Sequence, residues 1–190
     1  MGEFVKKLAT LLFLLSFSVI AQAQTAVVSL SDDSAQFKYA MLTGGQSFGR
    51  SEFGFGFLYN EQDAYIFETS LVVVDEAGAS TPGLHAGLGG KLYGASKGEA
   101  EFLALGLGGM VRYALPANTR LAFALDGYYA PEITSFMDAA NFVELALRAE
   151  YEVLQTAAAF LEFRKFSTKV DGGSEADLDD GIRLGIRLDF

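Results

Sequence analysis

The chain has 190 residues and a formal net charge of −10, from 24 acidic and 14 basic side chains. This acidic balance, without a basic patch, argues against nucleic acid as a partner. Because the chain contains no cysteine, disulfides and thiol redox chemistry are excluded.

The N-terminal segment predicts export. Lys6 and Lys7 precede an apolar run that ends in the sequence AQA at residues 21–23. A basic start, an apolar middle and small residues before the cleavage point are typical of a secretory signal peptide. A membrane anchor is the alternative, but the run is shorter than the roughly 20 residues that a spanning helix needs. We therefore assign residues 1–23 to a signal peptide and residues 24–190 to one domain.

The remaining sequence alternates apolar and polar residues with period two, which predicts β-strands throughout. The first segment, TAVVSLSDDSAQFKYAML, changes phase at SDDS, as a tight turn or a bulge would produce. Eight clear segments follow in chain order: SEFGFGFLY, AYIFETSLVVV, LHAGLGGKLY, FLALGLGGMVRY, TRLAFALDGYY, FVELALRAEY, AAAFLEFRKF and GIRLGIRLDF. Ten strands are the preferred count, and eight are the alternative if the first segment does not cross.

The strand faces favour a membrane barrel over a soluble one. Several segments approach the ~9–11 residues that a tilted strand needs to cross a bilayer. Charged residues occupy one face only, and aromatic residues end the apolar face, as in the girdles of membrane barrels. The girdle residues are Tyr59, Tyr113, Tyr129, Tyr151 and Phe190. The sequence therefore predicts an all-β, antiparallel, up-and-down transmembrane β-barrel.

The connections predict an orientation. ALPAN and EVLQ are short, whereas APEITSFMDAAN and STKVDGGSEADLDD are long. Outer-membrane barrels have short periplasmic turns and longer outside loops. We expect both chain ends and the two short turns in the periplasm, and the two long loops outside.

Several stretches also resemble a known family. LSDDSAQFKY, LYNEQD, GLGGKLYGA, RYALP, GYYAPEITSFMD, LRAEYEVL and LDDGIRLGIRLDF together resemble the YfaZ family of bacterial outer-membrane proteins. The resemblance implies a porin-like barrel in the outer membrane of a Gram-negative bacterium, but it supplies no catalytic residues. It also implies contact with outer-membrane lipid and lipopolysaccharide. Phe190 resembles the C-terminal signal that the barrel-assembly machinery reads, and a monomer is expected.

The polar faces predict a charged lumen. A barrel of eight to ten strands has room inside for side chains or a narrow channel. Acidic and basic residues occur there together, and buried charges need partners. The best candidates for an ordered network are Glu144, Arg148, Glu150, Glu162, Arg164, Arg183, Arg187 and Asp189. A largely plugged barrel with a structural or interaction role is the leading hypothesis, and a narrow channel for small solutes is the alternative.

Other chemistry has weaker support. His85 is the only histidine, and no serine and carboxylate in register accompany it, so a lipid A modifying enzyme is a remote alternative. The acidic loop near residue 175 lacks the spacing of an EF-hand. Gly87, Gly89, Gly106 and Gly108 lie inside strands and not before a helix, which favours close packing or sheet curvature over phosphate binding. We predict no catalytic residue, cofactor or metal site.

Overall fold

The computed structural model describes residues 23–43, 49–61, 64–77, 81–98, 100–137, 139–170 and 175–190. The predicted signal peptide lies outside these residues except for Ala23. No helix in the described ranges is long and apolar enough to cross a membrane.

The described residues form eleven strands and one short 3-10 helix. The strands are β1 (Gln24–Leu30), β2 (Ser34–Thr43), β3 (Arg50–Asn60), β4 (Ala64–Glu76), β5 (Leu84–Lys97), β6 (Ala100–Leu115), β7 (Asn118–Ala130), β8 (Ser135–Met137), β9 (Ala139–Leu154), β10 (Ala157–Val170) and β11 (Glu175–Asp189). The 3-10 helix spans Glu132–Thr134, directly before β8.

Ten of these strands close into an antiparallel barrel. Each long strand pairs with the next one along the chain, and β7 pairs with β9. The ring closes because β11 pairs with both β10 and β1. The prediction of a ten-stranded, up-and-down barrel is therefore confirmed, and the first segment does supply a strand.

The strand β8 was not expected, because its segment was interpreted as a loop. The strand β6 pairs with β7 only from Leu107 onward. Its first residues therefore need another partner. The backbone of Phe102 to Ala104 pairs instead with β8. Unpaired strand edges expose backbone donors and acceptors, so this loop folds back to satisfy them.

The start of β1 and the end of β11 lie at one end of the barrel, which we call the terminal end. Gln24 and Phe190 exchange two backbone hydrogen bonds, of 2.7 and 2.9 Å. The Asp189 N–H also donates to the Thr156 carbonyl in the short β9–β10 turn, at 2.9 Å. The opposite end, which carries β8, is called the loop end. The two short turns named above, at residues 116–117 and 155–156, thus share one end with Gln24 and Phe190, as predicted. Connection length does not separate the two ends throughout, because the connections at residues 31–33, 61–63 and 98–99 are short and lie at the loop end.

The alternation sorts the side chains into an apolar outside and a polar inside. Large outward residues remain exposed, among them Phe67 at 61%, Leu88 at 77% and Leu184 at 67%. Charged residues of the other parity, such as Glu144 and Arg164, are buried. Soluble proteins rarely expose such a continuous apolar surface. The wall therefore has the surface that a bilayer requires, as the alternation predicted.

Aromatic residues line both margins of this apolar surface. At the loop end Tyr59 and Tyr65 face each other across β3 and β4, with ring centroids 5.1 Å apart. At the terminal end Tyr151 and Phe190 are exposed, and Tyr113 is half-buried. Aromatic side chains favour the boundary between hydrocarbon and water. The two rows thus lie at the two margins of the apolar surface, where the girdles of membrane barrels lie.

Inward glycines allow neighbouring strands to approach closely. A Cβ atom on Gly89 would overlap the backbone of Leu71 and Val72. A Cβ atom on Gly108 would likewise overlap the backbone of Gly127 and Tyr128. These glycines therefore serve packing and curvature, as predicted.

We expect Gly108→Ala to lower the free energy of unfolding by about 1–3 kcal/mol, because the added methyl must displace backbone. Gly127→Ala is the matched control, since a Cβ there meets nothing within 4 Å. Urea titration of the refolded proteins, followed by far-UV circular dichroism, measures both. Equal stabilities of the two variants would contradict this account of the wall.

Candidate functional site

The lumen at the loop end is filled by an apolar plug. Its large members are Leu58, Ile66, Tyr93, Phe102, Phe142, Phe166 and Leu178, all nearly inaccessible to solvent. Tyr93 stacks on Phe142 with a centroid separation of 4.4 Å, and Phe142 lies 5.4 Å from Phe166. Because these rings come from β5, β9 and β10, the plug joins opposite parts of the wall.

Below the plug lies a central charge cluster of Lys38, Glu68, Lys91, Glu144 and Arg164. Glu144 accepts hydrogen bonds from Lys91 Nζ and Arg164 Nη2, each at 2.9 Å. Glu68 pairs with Lys38 Nζ at 2.8 Å and with Arg164 Nη2 at 3.3 Å. The desolvation of each buried charge is thereby offset by a partner of opposite sign.

Two aromatic residues connect this cluster to the plug. The Tyr93 hydroxyl donates to Glu144 Oε2 at 2.5 Å, although its ring belongs to the plug. The Arg164 guanidinium lies 3.9 Å from the centroid of the Phe166 ring. Cations favour the face of an aromatic ring, so the two layers stabilise each other directly.

A second group of charges, the terminal charge cluster, lies nearer the terminal end. Its members are Arg112, Arg148, Glu150, Glu162, Arg187 and Asp189. Glu150 accepts from Arg112 Nε at 3.1 Å and from Arg187 Nη1, and Arg148 Nη2 pairs with Glu162 at 2.5 Å. Arg187 Nε also donates to Asp189, at 3.1 Å. Glu150 thus joins side chains from β6, β9 and β11.

All eight residues of the predicted network face the lumen, but the structure divides them. Glu144 and Arg164 belong to the central cluster, whereas Arg148, Glu150, Glu162, Arg187 and Asp189 form the terminal cluster with Arg112. Arg183 instead pairs with Asp179 at 2.5 Å and donates to Ser34 Oγ at 3.1 Å.

The sequence interpretation missed important partners in the central cluster. Lys38 was not named, although it alternates with the outward Phe37 and Tyr39. Glu68 and Lys91 also alternate with outward residues of their strands, but they were not included in the network. The inward parity of Lys38, Glu68 and Lys91 would have been enough to include them. The ion pair between Lys91 on β5 and Glu144 on β9, however, has no local signal in the sequence.

A cavity of about 360 Å³, the basal cavity, lies alongside both charge clusters and extends to the terminal end. Glu52, Lys91 and Asp126 contribute to its polar wall, and Val72 and Met110 to its apolar wall. Thr25 and Asp189, at the ends of β1 and β11, also line it, so its mouth lies at the terminal end.

His85 is the second residue of β5 and lines the basal cavity. Within the described residues, no hydrogen bond joins it to a serine hydroxyl or to a carboxylate. The same residues contain no group of three or more histidine, cysteine, aspartate or glutamate side chains placed to hold a metal ion.

A family model described as YfaZ precursor matches residues 5–190. The chain belongs to the YfaZ family. The resemblance seen in the sequence is therefore confirmed over nearly its whole length. No curated protein matches this YfaZ-family chain.

Two solved structures are similar to the YfaZ-family chain at low identity. The first is the outer membrane channel DcaP of Acinetobacter baumannii, with 10% identity, a TM-score of 0.42 and 92% of this chain covered. The chain spans about 60% of the length of that channel. The second is the KdgM porin, with 9% identity, a TM-score of 0.45, and coverage of 88% of this chain and 99% of the porin. We transfer no function from either protein.

In this YfaZ-family barrel we expect Arg164→Met to lower the free energy of unfolding by about 3–5 kcal/mol, because Glu68 and Glu144 lose their shared partner. Lys165→Met is the control. Lys165 pairs with Asp177 at 3.6 Å with both side chains about half-exposed, so its loss should cost less than about 1 kcal/mol. Denaturant titration compares the two, and similar costs would contradict the assigned role of the central cluster.

Proposed function

We propose that this protein is an outer-membrane barrel with a closed lumen and a structural or interaction role. The observation that supports this most strongly is the succession of the apolar plug and the central charge cluster across the lumen. A solute entering from the terminal end would meet paired, buried charges and then stacked rings. The small diameter of a ten-stranded barrel supports the same proposal.

The proposed membrane position follows from the outer surface. Its apolar belt lies between aromatic margins and would contact lipid, with lipopolysaccharide at the loop end. The turns at residues 116–117 and 155–156, with Gln24 and Phe190, would face the periplasm, where barrels of this kind have their short turns. Export would begin with removal of residues 1–23.

A narrow channel for small solutes is the second candidate, and the basal cavity favours it. The cavity extends from the charge clusters to Thr25 and Asp189 at the terminal end. Conduction would still require a path through Phe142, Phe166 and Arg164, which are all at most 1% exposed. Backbone hydrogen bonds hold each of these residues in the wall, so opening requires displacement of side chains.

Catalysis on lipid A has less support. In the proposed orientation His85 lies at the periplasmic end of the barrel. Lipid A would lie in the opposite leaflet, beyond the plug. We therefore propose a role without catalysis.

In planar bilayers we expect the refolded protein to give no unitary current. The triple variant Phe142→Ala, Phe166→Ala and Arg164→Ala should conduct, because it removes two rings of the plug and the guanidinium that joins the plug to the central charge cluster. Current recordings at equal protein content provide the comparison.

The matched control is Phe123→Ala with Phe163→Ala, since both rings are about half-exposed on the outer wall. That variant should stay silent. Reproducible unitary currents from the unaltered protein would overturn the closed-lumen proposal and support the narrow channel.

We also propose that Phe190 and its strand are recognised by the barrel-assembly machinery. Its side chain is 64% exposed, whereas its backbone is bonded to Gln24. Phe190→Ser should therefore reduce the amount of folded protein in the outer membrane and leave the pairing of β1 with β11 intact after refolding in vitro.

Phe136→Ser is the control, because Phe136 is similarly exposed but lies in β8 at the loop end. Immunoblots of membrane fractions measure the amounts. Equal reductions for the two variants would contradict a specific role for Phe190.

A further inference from the structure

The basal cavity contains two carboxylates that the ion-pair networks do not use. Glu52 on β3 and Asp126 on β7 both line it. In the part of the chain that the structure describes, neither side chain makes an ion pair or a hydrogen bond.

The nearby cations are already engaged. Lys91 is held by Glu144 at 2.9 Å and lies 4.2 Å from the Tyr128 ring centroid. Arg112 pairs with Glu150 at 3.1 Å. Moving either cation to Glu52 or Asp126 would break a buried pair, which is costly.

The charged side chains that line the cavity give it a net negative wall. They are seven carboxylates and five lysine or arginine side chains. The carboxylates are Glu52, Glu68, Asp126, Glu144, Glu150, Glu162 and Asp189, and the cations are Lys38, Lys91, Arg112, Arg148 and Arg187. A positively charged ligand would complement this excess of carboxylates.

The cavity wall indicates what carries this charge. Val27, Val72, Val74 and Met110 form apolar surface beside the two carboxylates. At about 360 Å³ the cavity falls at the lower end of the range for small-molecule sites. An ammonium group on a short apolar body would meet both the charge and the apolar wall. A metal ion fits less well, because the described residues offer no cluster of three suitable ligands.

We propose that the basal cavity binds a small organic ammonium ion, whose charge lies between Glu52 and Asp126 and whose apolar part contacts Val72 and Met110. The site is reached from the terminal end and does not need a path through the plug. This proposed binding site therefore does not depend on whether the lumen is closed.

The methionine methyl groups provide a test that needs no knowledge of the natural ligand. Met110 lines the cavity, whereas Met137 is 62% exposed in β8 at the loop end. In protein labelled with carbon-13 at the methionine methyls and refolded in detergent micelles, n-butylamine should shift the Met110 resonance in a saturable manner. The Met137 resonance should not follow the same curve.

The controls separate charge from partitioning into the micelle. Butyrate and n-butanol have a similar apolar chain without the positive charge, and they should produce no saturable shift of Met110. Glu52→Gln with Asp126→Asn should weaken butylamine binding by at least about tenfold, whereas Glu132→Gln, a neutralisation in the loop-end 3-10 helix, should not.

Because Glu52 and Asp126 make no pair, their neutralisation should leave the barrel folded, which electrophoretic mobility without heating can verify. No saturable shift with butylamine would overturn the proposal. An equal shift with n-butanol, or unchanged binding in the doubly neutralised variant, would overturn it as well. None of these results would alter the conductance measurement.

Discussion

The closure of β1 against β11 is the constraint on which the rest of the structure depends. A bilayer offers no hydrogen bonds to a strand edge, so every backbone group in the wall needs a partner in the next strand. Closing the ring satisfies that demand, and it forces all outward side chains to face hydrocarbon. The charged residues of the opposite parity are then confined to a narrow lumen, where those that are fully buried must find a partner.

The lumen satisfies this second demand by sharing partners. Glu144 receives Lys91, Arg164 and the Tyr93 hydroxyl, and Glu150 receives three guanidinium groups from three strands. Charged side chains that share partners in this way connect distant strands, so the side chains of the lumen stabilise the barrel wall. Buried ion pairs add little net stability compared with apolar packing, but they penalise any register that separates them. The network therefore supports one register of the strands.

The fold was predictable from the sequence because period-two alternation states directly which residues face outward. Strand number, closure and the shared position of the chain ends followed from that alternation and from the connection lengths. The pairings inside the lumen were not predictable in the same way. Which residues meet there depends on strand tilt, stagger and local irregularities, such as the register shift between Phe166 and Ser167. Lys91 and Glu144 are 53 positions apart, and no local pattern relates them. The strand β8 escaped prediction because its pairing depends on how far β6 extends.

Tyr93 belongs to two layers at once, with its ring against Phe142 and its hydroxyl on Glu144. Arg164 likewise pairs with Glu144 in the central charge cluster and lies over the Phe166 ring of the plug. Displacing either layer would break a buried contact of the other layer. The loss of a buried polar contact is costly. Any opening of the lumen would therefore disturb the plug and the central charge cluster together.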